Sequence, residues 1–163
     1  MCSSDLAILA SKCLSWSFRF EKNEFDSLFP KIRLDEFKKL PIKKTDKFAQ
    51  IPFVHLVDYV IYQKQTPSVS AQIGHYFEQI IDGMVCELYF GEEVVSKQID
   101  ILGLVTADLA DFPAFDTLTE REKQTHLDNL YQKWTTNGSA IQSRLGLMRE
   151  RSPDVLGVIL GGQ

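Results

Sequence analysis

Cysteine is scarce in this chain. Only Cys2, Cys13 and Cys86 occur in 163 residues, widely spaced, which fits neither a disulfide framework nor a zinc site. Cys86, next to Val85, is expected to be a small buried hydrophobe. Histidine is equally sparse. His55, His75 and His126 stand in no recognisable order with a nucleophile or carboxylate, so structural histidines are expected. Asp108, Asp111 and Asp116 match no standard calcium loop, and no bidentate Glu follows at the right offset. Gly91, Gly103 and Gly138 are isolated and no Pro-Pro pair exists. No segment approaches the ~20 uninterrupted apolar residues of a membrane span, and no basic stretch leads into an apolar one as in a secretion signal. The expectation is a cytoplasmic protein without membrane contact. Internal repeats and low-complexity tracts are absent.

An apolar fraction of 44% is that of a globular protein, not of a disordered one. The length suits one domain, or two small subdomains sharing a core. Net charge is −4, but it is unevenly distributed. Met1 to Lys64 carries 11 Lys/Arg against 8 Asp/Glu, net +3, and the remainder 7 against 14, net −7. Seven of the basic residues (Lys31, Arg33, Lys38, Lys39, Lys43, Lys44 and Lys47) fall between Pro30 and Gln50, with three acidic ones. Such a cluster is commonly a solvated surface; it is also what phosphate contact through counterion release requires.

Periodicity organises the rest. Ile73, Phe77, Ile80, Ile81, Met84, Val85 and Leu88 recur at helical spacing between Gln72 and Phe90, as do Phe53, Leu56, Val57, Val60 and Ile61 between Phe53 and Gln65. Thr66-Pro67-Ser68 separates them, predicting an antiparallel helical hairpin. Pro52 falls near the first turn of the first helix. Ser68 or Ser70 can cap the second, and Gly91 is placed to end it. Gly83 interrupts that second helix at a cost of about 1 kcal/mol relative to Ala, which predicts close approach of another backbone. Tyr76 and Phe77 lie on or beside the apolar stripe and read as core, not as a base-stacking platform.

On the N-terminal side, Leu6 to Trp16 reads as a helix, and Trp16 to Phe20 alternates as a strand does. Phe25, Leu28, Phe29, Ile32 and Leu34 are less regular. Asp35 to Leu40 reads as a helical turn, then Leu40-Pro41-Ile42 as extended chain. Downstream, the pattern predicts a short helix over Val94 to Leu102 and a loop over Asp108 to Asp116. Thr119 with Glu122 forms a capping box that opens a helix burying Leu127, Leu130, Tyr131 and Trp134, stopped by Asn137-Gly138. A helix over Ser139 to Arg149 follows, then a strand over Val155 to Leu160.

The order KLPIKK (Lys39 to Lys44), PFVHLVDYVIYQK, FEQIIDGMVCELYF resembles the C-terminal region of adenine-specific DNA methyltransferases, in particular those of bacterial type IIG restriction–modification enzymes. There a leucine-proline-isoleucine-proline element closes the target-recognition domain. A leucine-valine-aspartate helix follows, then one reading isoleucine-aspartate-x-x-valine-tyrosine-glutamate-leucine-tyrosine. The matches here are Leu40-Pro41-Ile42, Leu56-Val57-Asp58, then Ile81-Asp82, Val85 and Glu87-Leu88-Tyr89. Lys43 stands in place of the second proline and Cys86 in place of the tyrosine. Leu6 to Phe18 looks like the helix before the closing recognition strands. Asn137 to Gly162 looks like the family's terminal charged helix, short strand and glycine.

The resemblance implies a parent that transfers a methyl group from S-adenosylmethionine to the adenine amino nitrogen, with an endonuclease on the same polypeptide in the type IIG case. Its glycine-rich cofactor loop and Asn-Pro-Pro-aromatic motif are not in this sequence, nor is an Asp…Glu-x-Lys nuclease signature. The chain therefore reads as a C-terminal fragment or separately encoded specificity piece, with no catalytic, cofactor or metal residues of its own. Met1 to Leu6 reads like a translated adapter remnant, so Met1 to Asp5 are expected to carry no structural information; alternatively Ser3, Ser4 or Asp5 caps the first helix. The expected fold is α+β, mainly α: a central antiparallel helical hairpin, a small N-terminal β element and further C-terminal helices. Residues 1–50 would end a target-recognition domain, 51–91 form the hairpin, and 92–163 the C-terminal helical region. Double-stranded DNA and a methyltransferase core domain or subunit are the expected partners, with Lys31, Arg33, Lys38, Lys39, Lys43, Lys44 and Lys47 as phosphate contacts. The alternative is a helical scaffold that docks a methyltransferase core without touching DNA.

Overall fold

The computed structural model describes residues 3–22, 42, 43 and 45–161. Within these it is mostly helical, with no strand. The centre is the hairpin of α3 (Lys47–Gln65) and α4 (Ala71–Tyr89). Asp46 caps α3 by accepting from the Phe48 and Ala49 N–H groups, both at 2.9 Å. Pro52 therefore falls in the second turn, not the first. The carbonyl it leaves without an N–H partner is that of Phe48, a residue 81% exposed, where water can satisfy it. Ser70 caps α4 through the Gln72 N–H.

Phe53, Leu56, Val57, Tyr59 and Val60 of α3 are buried in one cluster with Ile73, Phe77, Ile80, Ile81, Met84 and Val85 of α4. Each side chain so removed from water stabilises the fold by roughly 1.5–3 kcal/mol. Ile61 departs from the expected face and is exposed; Tyr59 takes the inward position.

Two short helices precede the hairpin, α1 (Ser3–Ala10) and α2 (Lys12–Lys22). Ser3, Ser4 and Asp5 lie within the first turn of α1. The helix expected to run from Leu6 to Trp16 is broken at buried Ser11. Its hydroxyl donates to the Ile8 carbonyl at 2.7 Å and accepts from the Leu14 N–H at 3.3 Å, closing one helix and capping the next. The strand expected over Trp16 to Phe20 is helical instead. Alternation over five residues is a weak signal, and α2 starts on a fixed anchor: the Lys12 N–H donates to Asp82 Oδ1 of α4 at 2.8 Å. The expected helical turn at Asp35 to Leu40, and Phe25 to Leu34, lie outside the described residues.

After α4, Gly91 does not stop the helix; Phe90 ends it and Gly91 opens α5 (Gly91–Ser96). The helix expected over Val94 to Leu102 is split. Gln98 adopts φ 56°, and α6 (Leu102–Leu109) begins beyond it. Glu87 explains the restart: one carboxylate oxygen accepts from the Ile101 and Leu102 N–H groups at 2.7 and 2.8 Å. α7 (Glu120–Thr135) opens on the Thr119/Glu122 capping box and buries Leu127, Leu130 and Trp134. Gly138, at φ 92°, makes the turn into α8 (Ala140–Arg151).

The strand expected over Val155 to Leu160 is a π turn (Pro153–Gly157) followed by α9 (Val158–Gly161). A strand needs a sheet edge, and none exists among the described residues. Leu156, Ile159 and Leu160 instead bury themselves in the helical core.

Candidate nucleic-acid interface and the motif helices

The acidic and aromatic residues of the two motif helices are placed as joints. Asp82 anchors the start of α2, and Glu87 caps α6. Leu56, Val85 and Cys86 are fully buried. Burial raises the Asp82 pKa above the usual carboxylate range, partly countered by the Lys12 backbone N–H and ammonium.

Of the seven basic candidates, Lys43 and Lys47 are described; Lys31, Arg33, Lys38, Lys39 and Lys44 lie outside the described residues. Lys47 is exposed on the first turn of α3. Lys43 does something that its charge alone did not announce. Its backbone N–H donates to the Tyr89 hydroxyl at 3.1 Å and its ammonium to the Leu88 carbonyl at 2.7 Å. It thereby satisfies one of the last carbonyls of α4 and places positive charge at the negative end of that helix. Lys43 and Leu88 also line a cavity of about 240 Å³ with Asp5, Ile8, Gln50 and Phe53. Lys43 is thus pinned to the Glu87-Leu88-Tyr89 end of the motif helix.

Beyond this stretch the cations are largely engaged within the protein. Lys64 pairs with Glu78 and Lys97 with Glu93, each at 2.7 Å, Lys123 with Glu120 and Lys133 with Asp108 at 2.9 Å, and Arg144 with Asp100 at 2.8 Å. Exposed pairs of this kind stabilise little, but they neutralise the face that carries them. Asp108 also accepts from the Trp134 indole N–H at 2.7 Å, so its two oxygens serve α7. No group of three or more His, Cys, Asp or Glu among the described residues could hold a metal ion.

A polar cluster emerges that the sequence did not reveal. The Tyr59 hydroxyl lies 3.2 Å from His55 Nδ1 and 2.8 Å from His126 Nε2. The phenol can donate to only one imidazole, so the other must present an N–H to it. Phe115 packs edge-on to Tyr59 and Phe112 lies over His126. Desolvation pushes the His126 pKa down to about 4, with the neighbouring His55 adding to the effect. Burial lowers His55 too, partly offset by Asp58, and raises Tyr59 far above its ordinary value. The i, i+4 spacing of His55 and Tyr59 is legible in the sequence; the arrival of His126 is not. His75 sits on the surface beside Glu78.

No helix among the described residues is long and apolar enough to cross a membrane. Gly91 and Gly103 stand in helical starts and Gly138 in a turn. No family model, curated protein or solved structure matches the chain.

Proposed function

We propose that this chain is the helical end of the specificity region of an adenine-specific DNA methyltransferase of the restriction–modification kind. In this reading it buttresses the basic segment Lys31 to Lys47 against the phosphate backbone of duplex DNA. Methyl transfer, and nuclease activity in the type IIG case, belong to other parts of the parent, so this chain alone is a binding module. The observation that carries the reading is the Lys43 bridge to Leu88 and Tyr89. It joins Lys43, which stands in the place of the recognition element's second proline, to the Glu87-Leu88-Tyr89 helix end. The paired cations elsewhere support the same division of labour, because phosphate contact by Lys64, Lys97 or Lys133 would have to break existing ion pairs.

Phosphate contacts position a protein on DNA without reading sequence. The expected behaviour is therefore sequence-indifferent binding that weakens steeply with salt. Fluorescence anisotropy on two unrelated duplexes, with Lys38, Lys39 and Lys44 changed together to Ala, tests this while leaving the Lys43 joint intact. The triple variant should bind both duplexes more weakly and with a shallower salt slope, by roughly one unit of log–log slope for each phosphate no longer neutralised. An unchanged slope rejects DNA contact by this segment.

A second reading rests on a different observation. Ile42, Phe48 and Ile51 are exposed at the start of α3, Phe48 by 81%. In the scaffold reading they dock a methyltransferase core without DNA contact. Absence of binding to either duplex at low salt would favour it.

A further inference from the structure

Residues of α2, α4, α8 and α9 line a cleft of about 440 Å³. Leu145 and Met148 of α8 and Leu160 of α9 give it an apolar lining. Lys12 of α2 and Arg149 of α8 also line it, and their charged ends converge on one acceptor. Arg149 Nη2 donates to the Leu160 carbonyl at 2.7 Å, and Lys12 Nζ lies 3.5 Å from the same oxygen. Neither cation pairs with a carboxylate among the described residues, whereas Lys64, Lys97, Lys123, Lys133 and Arg144 each do. Two like charges drawn to one neutral oxygen repel each other, and an anion between them offsets that repulsion far better than a carbonyl does. Among the described residues Asp82 is the one acidic side chain lining the cleft, and its Oδ1 is engaged by the Lys12 N–H. Two cations against one carboxylate leave the cleft a single positive charge.

We propose that this cleft binds a small organic monocarboxylate with an apolar body. The carboxylate bridges the Arg149 guanidinium and the Lys12 ammonium, taking over donors now directed at the Leu160 carbonyl. A planar guanidinium matches a carboxylate with two parallel hydrogen bonds. The apolar body lies on Leu145, Met148 and Leu160. One negative charge is what the cleft can neutralise; a phosphate dianion would leave it negative and be repelled by Asp82. The volume lies in the range of pockets that enclose small organic ligands. Gly146 of α8 keeps the lining open, since nothing lies within 4 Å of where its Cβ would stand.

The test is equilibrium dialysis of the whole chain against naphthylacetate and, separately, naphthylacetamide, which has the same body and no charge. Naphthylacetate should bind one-to-one, and the amide about tenfold more weakly or worse. Arg149→Gln and Lys12→Gln should each weaken naphthylacetate by about tenfold; both residues are exposed. Gly146→Phe should block binding by bulk while keeping both cations. Asp82→Asn keeps an acceptor for the Lys12 N–H and removes the one negative charge, so it should tighten binding, a gain that a damaged fold cannot mimic. Equal binding of the amide would overturn the proposal, because the cleft would then be an apolar surface only. So would naphthylacetate binding that is indifferent to Arg149→Gln and Gly146→Phe, tighter binding of inorganic phosphate, or no binding at millimolar naphthylacetate.

Discussion

At the scale of single residues, polar groups in this protein act chiefly as joints. Glu87 satisfies two N–H groups at the start of α6 that no intrahelical carbonyl can reach. Glu87→Ala should destabilise by about 1–2 kcal/mol and Glu87→Gln by less, read as the shift of a urea unfolding midpoint. His126 makes a pH-dependent contribution whose sign is set by burial. Its folded-state pKa is lowered from 6.5 to about 4, so between those values the unfolded chain binds more protons. The contribution is complete above pH 6.5, declines as pH falls toward 4, and is constant below. His126→Gln can still hydrogen-bond Tyr59 but cannot titrate. Its stability should vary less with pH than the wild type's between pH 4 and 6.5, measured by urea unfolding across that range. Equal slopes would mean that His126 is not held neutral.

At the scale of elements, α4 owes its central place to Gly83. A Cβ there would stand 2.9 Å from terminal carbons of Ile101 and Leu145 and 3.1 Å from that of Met148. What approaches is side chains of the α5–α6 connection and α8, not the backbone that the sequence suggested. Because these are the ends of flexible chains, Gly83→Ala should change stability by less than about 1 kcal/mol, strain offsetting improved helix propensity. Gly83→Val adds volume that three converging groups cannot all yield to. It should cost about 2–3 kcal/mol, by the same measurement.

At the scale of the whole molecule, charge and packing separate along the chain. The stretch up to Lys64 is net positive and the remainder net negative, and in the latter Lys97, Lys123, Lys133 and Arg144 are paired with carboxylates. Under the proposed function, non-specific DNA binding should be salt-sensitive, and the salt titration of the triple lysine variant measures this.

Short-range chemistry makes much of this legible in the amino-acid order. The period of Phe53 to Leu88 specifies two packed helices. The Thr119/Glu122 box, the Ser70 cap and the Gly138 turn each depend on groups within four residues of one another. Where the deciding partner lies far along the chain, local pattern fails. Trp16 to Phe20 is helical in a segment whose first turn Asp82 holds. Val155 to Leu160 coils because there is no described strand to join. Asp82, Glu87 and Lys43 look like motif or charge in the sequence and prove to be joints. The helical hairpin and the apolar faces it must bury follow from spacing along one chain, so the order of residues is enough to specify them. Element ends, and the meetings of Lys43 with Leu88 and Tyr59 with His126, were set by the packed molecule alone. A hydrogen bond across the core depends on where distant segments come to rest.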